Sequence, residues 1–289
     1  MNRIALGTAQ FGLYYGIANK LGKVTRPEVT AMLKLALSGN IDTIDTAIAY
    51  GDSESCLGDV GANDFKLITK LPAVPDDCED VNVWIRENVR TSLNRLRVPS
   101  VYGLLLHRSE QLLGPNGPVI FNTLQALKDR KEVQKIGISI YSPMELEALI
   151  PRYSFDLVQA PFNLVDRRLW STGWMQRLKQ DGVEIHTRSV FLQGLLLMAK
   201  KNRPPKFSSW QYLWDTWHRW LEVQGGSDVE TCLAYPLSFP EIDRVVVGAE
   251  SVSQLTHILR ASMHYPKKGW PDLQCEDENL INPARWNSL

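Results

Sequence analysis

Cysteine is scarce: Cys56, Cys78, Cys232 and Cys275 are the only four in 289 residues, scattered and without a CxxC pair. That excludes a disulfide framework or a clustered zinc site and reads as reduced thiols, so no metal is expected. An excess of charge is also missing, since Lys plus Arg and Asp plus Glu stand at 32 each. Neither a nucleic-acid nor a membrane surface is expected from that balance. No long apolar run follows the start "MNRIALGTAQFG", which excludes a signal peptide and a membrane span and makes the cytoplasm the expected compartment. The expected partner is a small molecule, with the chain a monomer or a weak homo-oligomer.

What the chain does have is 44% hydrophobic residues, enough for the core of one α/β domain spanning residues 1–289. Short apolar runs alternate with amphipathic ones. Eight strands are predicted, at 3–8, 41–45, 66–70, 101–107, 135–139, 155–160, 183–187 and 243–248. Helices are predicted between them at 26–39, 52–60, 80–97, 118–131, 143–150 and 167–181, then in a divided segment from about 208 to 237, and at 251–264. Thr25 with Glu28, Ser142 with Glu145, Ser227 with Glu230 and Ser251 with Gln254 have capping-box spacing. Near-continuous apolar strands separated by helices imply a parallel sheet covered by helices, and eight such units favour a closed (β/α)8 TIM barrel. A doubly wound sheet is the alternative, but "GTAQFG" at 7–12 lacks the G-x-G-x-x-G spacing of its phosphate turn.

In a barrel the C-terminal rim of the strands carries the chemistry. Asp45, Lys70 and His107 end the second, third and fourth predicted strands, and Tyr50 lies just beyond Asp45 in "IDTIDTAIAYGDSESCLG". A buried carboxylate needs a partner, and Lys70 is the candidate. A phenol titrating near 10 is a weak acid at neutral pH unless a nearby positive charge stabilises the phenolate. Lys70 is expected to supply that charge and His107 to orient a substrate oxygen. Such a set suits protonation of a carbonyl oxygen while a hydride reaches its carbon, and only a nicotinamide or flavin cofactor can deliver the hydride. Singly, Asp45 reads as a turn cap, Lys70 as a solvated strand end and His107 as one more hydrogen-bonded imidazole. Jointly, on one quadrant of a rim, they read as a catalytic set.

The motifs "LGTAQFG" (6–12), "IDTIDTAIAYGDSESCLG" (41–58), "FKLITKLP" (65–72), "SLNRLRVPSVYGLLLHR" (92–108), "KIGISIYSP" (135–143), "DLVQAPFNLVDR" (156–167) and "VVVGAESVSQL" (245–255) resemble the aldo-keto reductases from the first strand to about residue 264. The resemblance implies a (β/α)8 barrel that binds NADP(H) or NAD(H) across its rim and reduces aldehydes or ketones, possible sugar derivatives among them, to alcohols. It places the family's catalytic tetrad on Asp45, Tyr50, Lys70 and His107, with Tyr50 as general acid. For the cofactor it implies contacts from Gly7, Thr8, Asp45, Ser139 and Gln159. Ile140 stands where the family has Asn, and Arg188 where it has an aromatic ring to stack on the nicotinamide; a guanidinium plane can also stack. Phe191, Gln193 and Gly194 fall at the pyrophosphate.

At the adenosine end the resemblance implies Gly248, Glu250 and Gln254. The cations that clamp a 2′-phosphate in NADPH-selective members are replaced there by Glu250 and Gln254, so reduced NADP selectivity is expected. The helix N-terminus at Ser251 still offers amides to a phosphate.

Trp210, Trp214, Trp217 and Trp220 share one helical face. That face is expected to pack on the barrel wall, the alternatives being a substrate wall or an interface. The short tail predicts a more open site than in relatives with a long C-terminal loop. A second function class is a nicotinamide-nucleotide-binding regulatory protein with little turnover, since a fold alone does not settle function.

Overall fold

The computed structural model describes residues 2–263 and 269–289; the end of the helix expected over 251–264 lies outside the described residues. Eight parallel strands close into a barrel in chain order, β8 pairing back onto β1. They are β1 (Ile4–Gly7), β2 (Thr43–Asp45), β3 (Lys66–Leu71), β4 (Val101–Leu106), β5 (Val133–Ser139), β6 (Leu157–Pro161), β7 (Glu184–Arg188) and β8 (Arg244–Gly248). Each lies within two residues of its predicted bounds. The helices are α1 (Ala9–Gly12), α2 (Arg26–Ser38), α3 (Ser53–Val60), α4 (Val81–Leu96), α5 (Gly117–Asp129), α6 (Met144–Leu149), α7 (Arg168–Ser171), α8 (Trp174–Gln180), α9 (Gln211–Gln224), α10 (Asp228–Leu237), α11 (Val252–Ala261) and α12 (Glu278–Ile281).

The strands are Val, Ile and Leu rich because both of their faces are covered, one by the barrel interior and one by helices. A fully buried aliphatic side chain contributes roughly 1.5–3 kcal/mol, so the wall is the main stabilising layer. The single helix expected at 167–181 is two, α7 and α8, because the chain turns at Gly173 with φ +79°.

Of the four expected capping boxes, the one at Ser227 and Glu230 forms in full. The Ser251 hydroxyl accepts from the Gln254 amide at 3.2 Å, while the Gln254 side chain turns to Glu250 instead. Glu145 accepts from the Ser142 amide at 2.8 Å, but the return bond of Ser142 goes to Met144. Thr25 makes no cap bond at all. Its expected partner Glu28 crosses to the N-terminus of α11, accepting from the Val252 amide at 2.6 Å.

Trp210, Trp214 and Trp217 are buried, and the Trp217 indole donates to the Leu196 carbonyl at 2.9 Å. The tryptophan face is therefore core packing, bonded to the segment that follows β7 and to the C-terminal region rather than to the strands: Trp214 donates to the Phe207 carbonyl and Trp210 to Asp277. The tail packs too, Trp286 lying edge-on against Phe207 with ring centroids 4.9 Å apart.

One buried carboxylate ties the helices to the rim. Glu54 on α3, 1% exposed, accepts from Thr69 on β3 and Ser92 on α4 at 2.6 Å each, and from Arg95 at 2.8 and 2.6 Å. It anchors the strand residue next to Lys70.

Candidate active site

Asp45 ends β2 with its carboxylate turned into the barrel. Lys70 Nζ on the adjacent β3 lies 2.6 Å from Asp45 Oδ1 and donates also to the Thr46 carbonyl at 2.8 Å. From β6, not a neighbour of β2, Gln159 Nε2 donates to Asp45 Oδ2 at 2.7 Å. A bond between non-adjacent strands requires both side chains to face the interior. The buried carboxylate thus has a charged and a neutral partner, as burial demands. Burial lowers the Lys70 pKa, and the Asp45 carboxylate opposes that.

Tyr50 follows on the loop after β2. Its backbone packs so closely on α1 that a Cβ at Gly12 would lie 1.8 Å from the Tyr50 carbonyl, so only glycine fits there. The Tyr50 and His107 rings meet edge to face, centroids 5.8 Å apart at 78°. Lys70 Nζ stands 5.2 Å from the Tyr50 ring centroid.

The electrostatics differ from the sequence expectation. Burial first, and the Asp45 charge second, push the Tyr50 phenol well above its usual range, with Arg188 pulling it down. Lys70 is not the leading counterweight, because Asp45 at contact distance offsets its charge. His107 is lowered to about 4, by burial first and then by Lys70 and Arg188. At neutral pH the phenol therefore holds its proton and the imidazole is uncharged.

A cavity of about 570 Å³ opens over this cluster, a size usual for small-molecule and cofactor sites. Asp45, Tyr50 and His107 line it, while Lys70 lies beneath them, 1% exposed. Gly7, Thr8, Ser139, Gln159, Arg188, Phe191, Gln193, Gly194, Gly248, Glu250 and Gln254 line the same cavity, and no described residue beyond Ile258 does.

Ser139 Oγ lies 3.4 Å from Gln159 Oε1, so the two polar groups at the ends of β5 and β6 stand side by side. Ile140 is fully buried and offers only its carbonyl, which accepts from Arg188 Nη2 at 2.9 Å. Arg188 is not a bare stacking plane: one face already covers the Tyr141 ring, 4.7 Å from its centroid.

Two loops meet over the middle of the cavity. Gln193 donates to the Tyr15 hydroxyl at 3.3 Å, and a Cβ at Gly194 would lie 2.4 Å from the Ala18 methyl. Ser189, Leu192 and Gln193 all have positive φ, +64°, +48° and +52°, a conformation non-glycine residues adopt at a cost and typically at functional sites.

At the far end, the amides of the α11 N-terminus are taken. Glu250 donates its amide to Gln254 Oε1 at 2.8 Å, Gln254 donates to Ser251 Oγ, and Val252 donates to Glu28. Three amides of the expected phosphate site at Ser251 are thus already bonded, to a glutamine, a serine and the acidic Glu28.

The sequence reading gave Tyr15 and Tyr141 no role and Glu28 only a cap. Tyr141 stands two positions past Ser139, at a strand end, which was the available signal. Tyr15 and Glu28 arrive by long-range packing that no local pattern encodes.

The buried Lys–Asp pair and the phenol beside an uncharged imidazole thus stand together at the C-terminal rim of the barrel, under the cavity. A model of the aldo/keto reductase family matches residues 3–274, and the chain belongs to that family. YqkF of Bacillus subtilis (strain 168), described as an uncharacterized oxidoreductase, is 24% identical over 252 residues, 80% of this chain and 81% of that protein. The holo form of the aldo-keto reductase AKR11C1 from Bacillus halodurans matches with a TM-score of 0.71 at 19% identity, over 92% of this chain and 88% of that one. The glycerol dehydrogenase AKR11B4 from Gluconobacter oxydans matches with a TM-score of 0.69 at 21% identity, over 93% and 88%. Those structural likenesses establish the shared fold. No described helix is long and apolar enough to cross a membrane.

Proposed function

We propose that this chain reduces an aldehyde or ketone to an alcohol, with Tyr50 as the general acid and NAD(H) or NADP(H) as the hydride carrier. The observation that carries this reading is the protonated, buried phenol of Tyr50 edge-on to an uncharged His107, above the Lys70–Asp45 pair. The elongated cavity suits the cofactor, with Ser139, Gln159 and Arg188 at its inner end and Glu250 and Gln254 at its outer end. When bound, that cofactor supplies the hydride, which no side chain can.

The residues of the chain do the rest. His107, as a neutral imidazole, donates a hydrogen bond to the carbonyl oxygen and fixes its position. Tyr50 transfers its proton to that oxygen as negative charge develops there. The phenolate left behind is stabilised chiefly by Arg188, with a smaller share from the Lys70 ammonium, which Asp45 holds in place and whose partner carboxylate Gln159 steadies.

Reduced NADP selectivity follows from the outer end. Glu250 and Glu28 put carboxylates beside the α11 N-terminus, and a carboxylate repels a 2′-phosphate but can accept from a free ribose hydroxyl. The test is fluorescence titration with NADH and NADPH, followed by turnover of an aldehyde panel. Cofactor binding with turnover supports the reading; tight binding with no turnover across the panel favours a regulatory role.

A further inference from the structure

Arg188 has an incomplete set of partners. A guanidinium carries five N–H donors, and only two are used here, to the Ile140 carbonyl at 2.9 Å and to Ser189 Oγ at 3.2 Å. Among the described residues no carboxylate pairs with it. The other acidic groups in the cavity are engaged elsewhere: Asp45 by Lys70 and Gln159, and Glu250, at the opposite end, by Gln254.

Glu145, the carboxylate beside Tyr141, is engaged as well, by the Tyr141 and Ser142 amides and the Ser109 hydroxyl. Tyr141 lies between two guanidiniums, Arg188 at 4.7 Å and Arg108 at 5.7 Å from its ring centroid. Arg108 has only a loose contact with Glu110, at 3.9 Å on the exposed rim. Tyr15, Tyr50 and Tyr141 surround the cavity beside Arg188 and offer hydroxyls. A half-buried cation with unfilled donors is costly to desolvate, and a planar fork matches a carboxylate or phosphate in two-point fashion.

We infer that the carbonyl compound taken by this site carries an anionic group, a carboxylate or a phosphate, which the free edge of Arg188 receives while its carbonyl meets Tyr50 and His107. This rests on the reductase reading above. It adds that the substrate is charged and that Arg188 selects it.

The experiment uses the full chain with matched carbonyl pairs: para-carboxybenzaldehyde against para-methylbenzaldehyde, and glyceraldehyde phosphate against glyceraldehyde. The parent, Arg188→Gln and Arg188→Lys are compared. The expected result is a kcat/KM at least about tenfold higher for an anionic member in the parent, about 1.4 kcal/mol. In Arg188→Gln kcat falls for both members, since a charge that steadies the phenolate is gone, and beyond that common loss the anionic member loses its preference through KM; Arg188→Lys, which retains charge without the fork, keeps part of the preference. Which pair shows the larger preference identifies carboxylate or phosphate.

Equal use of both members by the parent overturns the inference. So does an equal loss for both members in Arg188→Gln accompanied by weaker NADH binding, which would make Arg188 a cofactor contact. If no carbonyl in either pair is turned over, the reductase reading fails, and calorimetric titration with benzoate and inorganic phosphate decides the rest. Binding lost in Arg188→Gln upholds the anion site, and absence of binding to the parent removes it.

Discussion

The Gln159 amide reaches across the barrel from β6 to the Asp45 carboxylate on β2, Nε2 to Oδ2 at 2.7 Å. Asp45 is thereby held from two sides, with Lys70 on the other oxygen. Replacing Gln159 by Met keeps the volume and removes the donor. A hydrogen bond to a charged buried group contributes about 1.5–3 kcal/mol, so the urea-unfolding free energy should fall by that amount. A loss under about 0.5 kcal/mol, the range of ordinary surface changes, would show that the bond is not a structural tie.

Lys70→Met leaves the Asp45 carboxylate buried without its cation, and breaking such a pair typically costs about 3–5 kcal/mol. Stability should recover in the double variant with Asp45→Asn, which removes the orphaned charge, while carbonyl reduction stays low because the phenolate has lost its ammonium. A double-mutant cycle in which the two losses simply add would contradict the coupling.

The pH dependence follows from His107. Burial and the charges of Lys70 and Arg188 disfavour the imidazolium, which lowers the pKa to about 4 from its usual 6.5. The folded protein keeps this ring neutral where the unfolded chain would protonate it. Its contribution to stability is complete above 6.5 and is lost as the pH falls towards about 4. On activity, kcat/KM should run level through 6.5 and fall only on approach to about 4. An inflection near 6.5 that disappears in His107→Gln would contradict the neutral-imidazole assignment.

Much of this architecture is legible in the sequence. The eight strands read correctly because each is a short, nearly unbroken apolar run, and Asp45, Lys70 and His107 read as a rim set because each places an ionisable group where such a run ends. The partition of contacts is less legible. Thr25 and Glu28 have the spacing of a local cap, yet Glu28 bonds the Val252 amide from 224 residues away in the chain. Arg188 has the position of a stacking residue, but only the fold shows Tyr141 already beneath it. The break between α7 and α8 turns on the positive φ of a single glycine. Helical periodicity spans such a break without registering it.

Cofactor choice is tested at the α11 N-terminus. The parent should bind NADH as tightly as NADPH or more tightly. Glu250→Lys should shift the ratio towards NADPH, and Glu28→Gln should shift it in the same direction by removing a negative charge beside the helix amides. NADPH binding to the parent a hundredfold tighter than NADH, about 2.7 kcal/mol, would contradict this.

The central claim is that Tyr50 delivers the proton, and Tyr50→Phe tests it most directly. The ring that packs against His107 is retained and only the hydroxyl is removed. With cofactor binding checked by fluorescence titration and unfolding by denaturant, both are expected at parent values. The kcat for carbonyl reduction should fall by about 10²–10⁴-fold, the usual contribution of a positioned general acid. A variant that binds the cofactor and turns over a carbonyl substrate at near the parent's kcat would contradict the assignment.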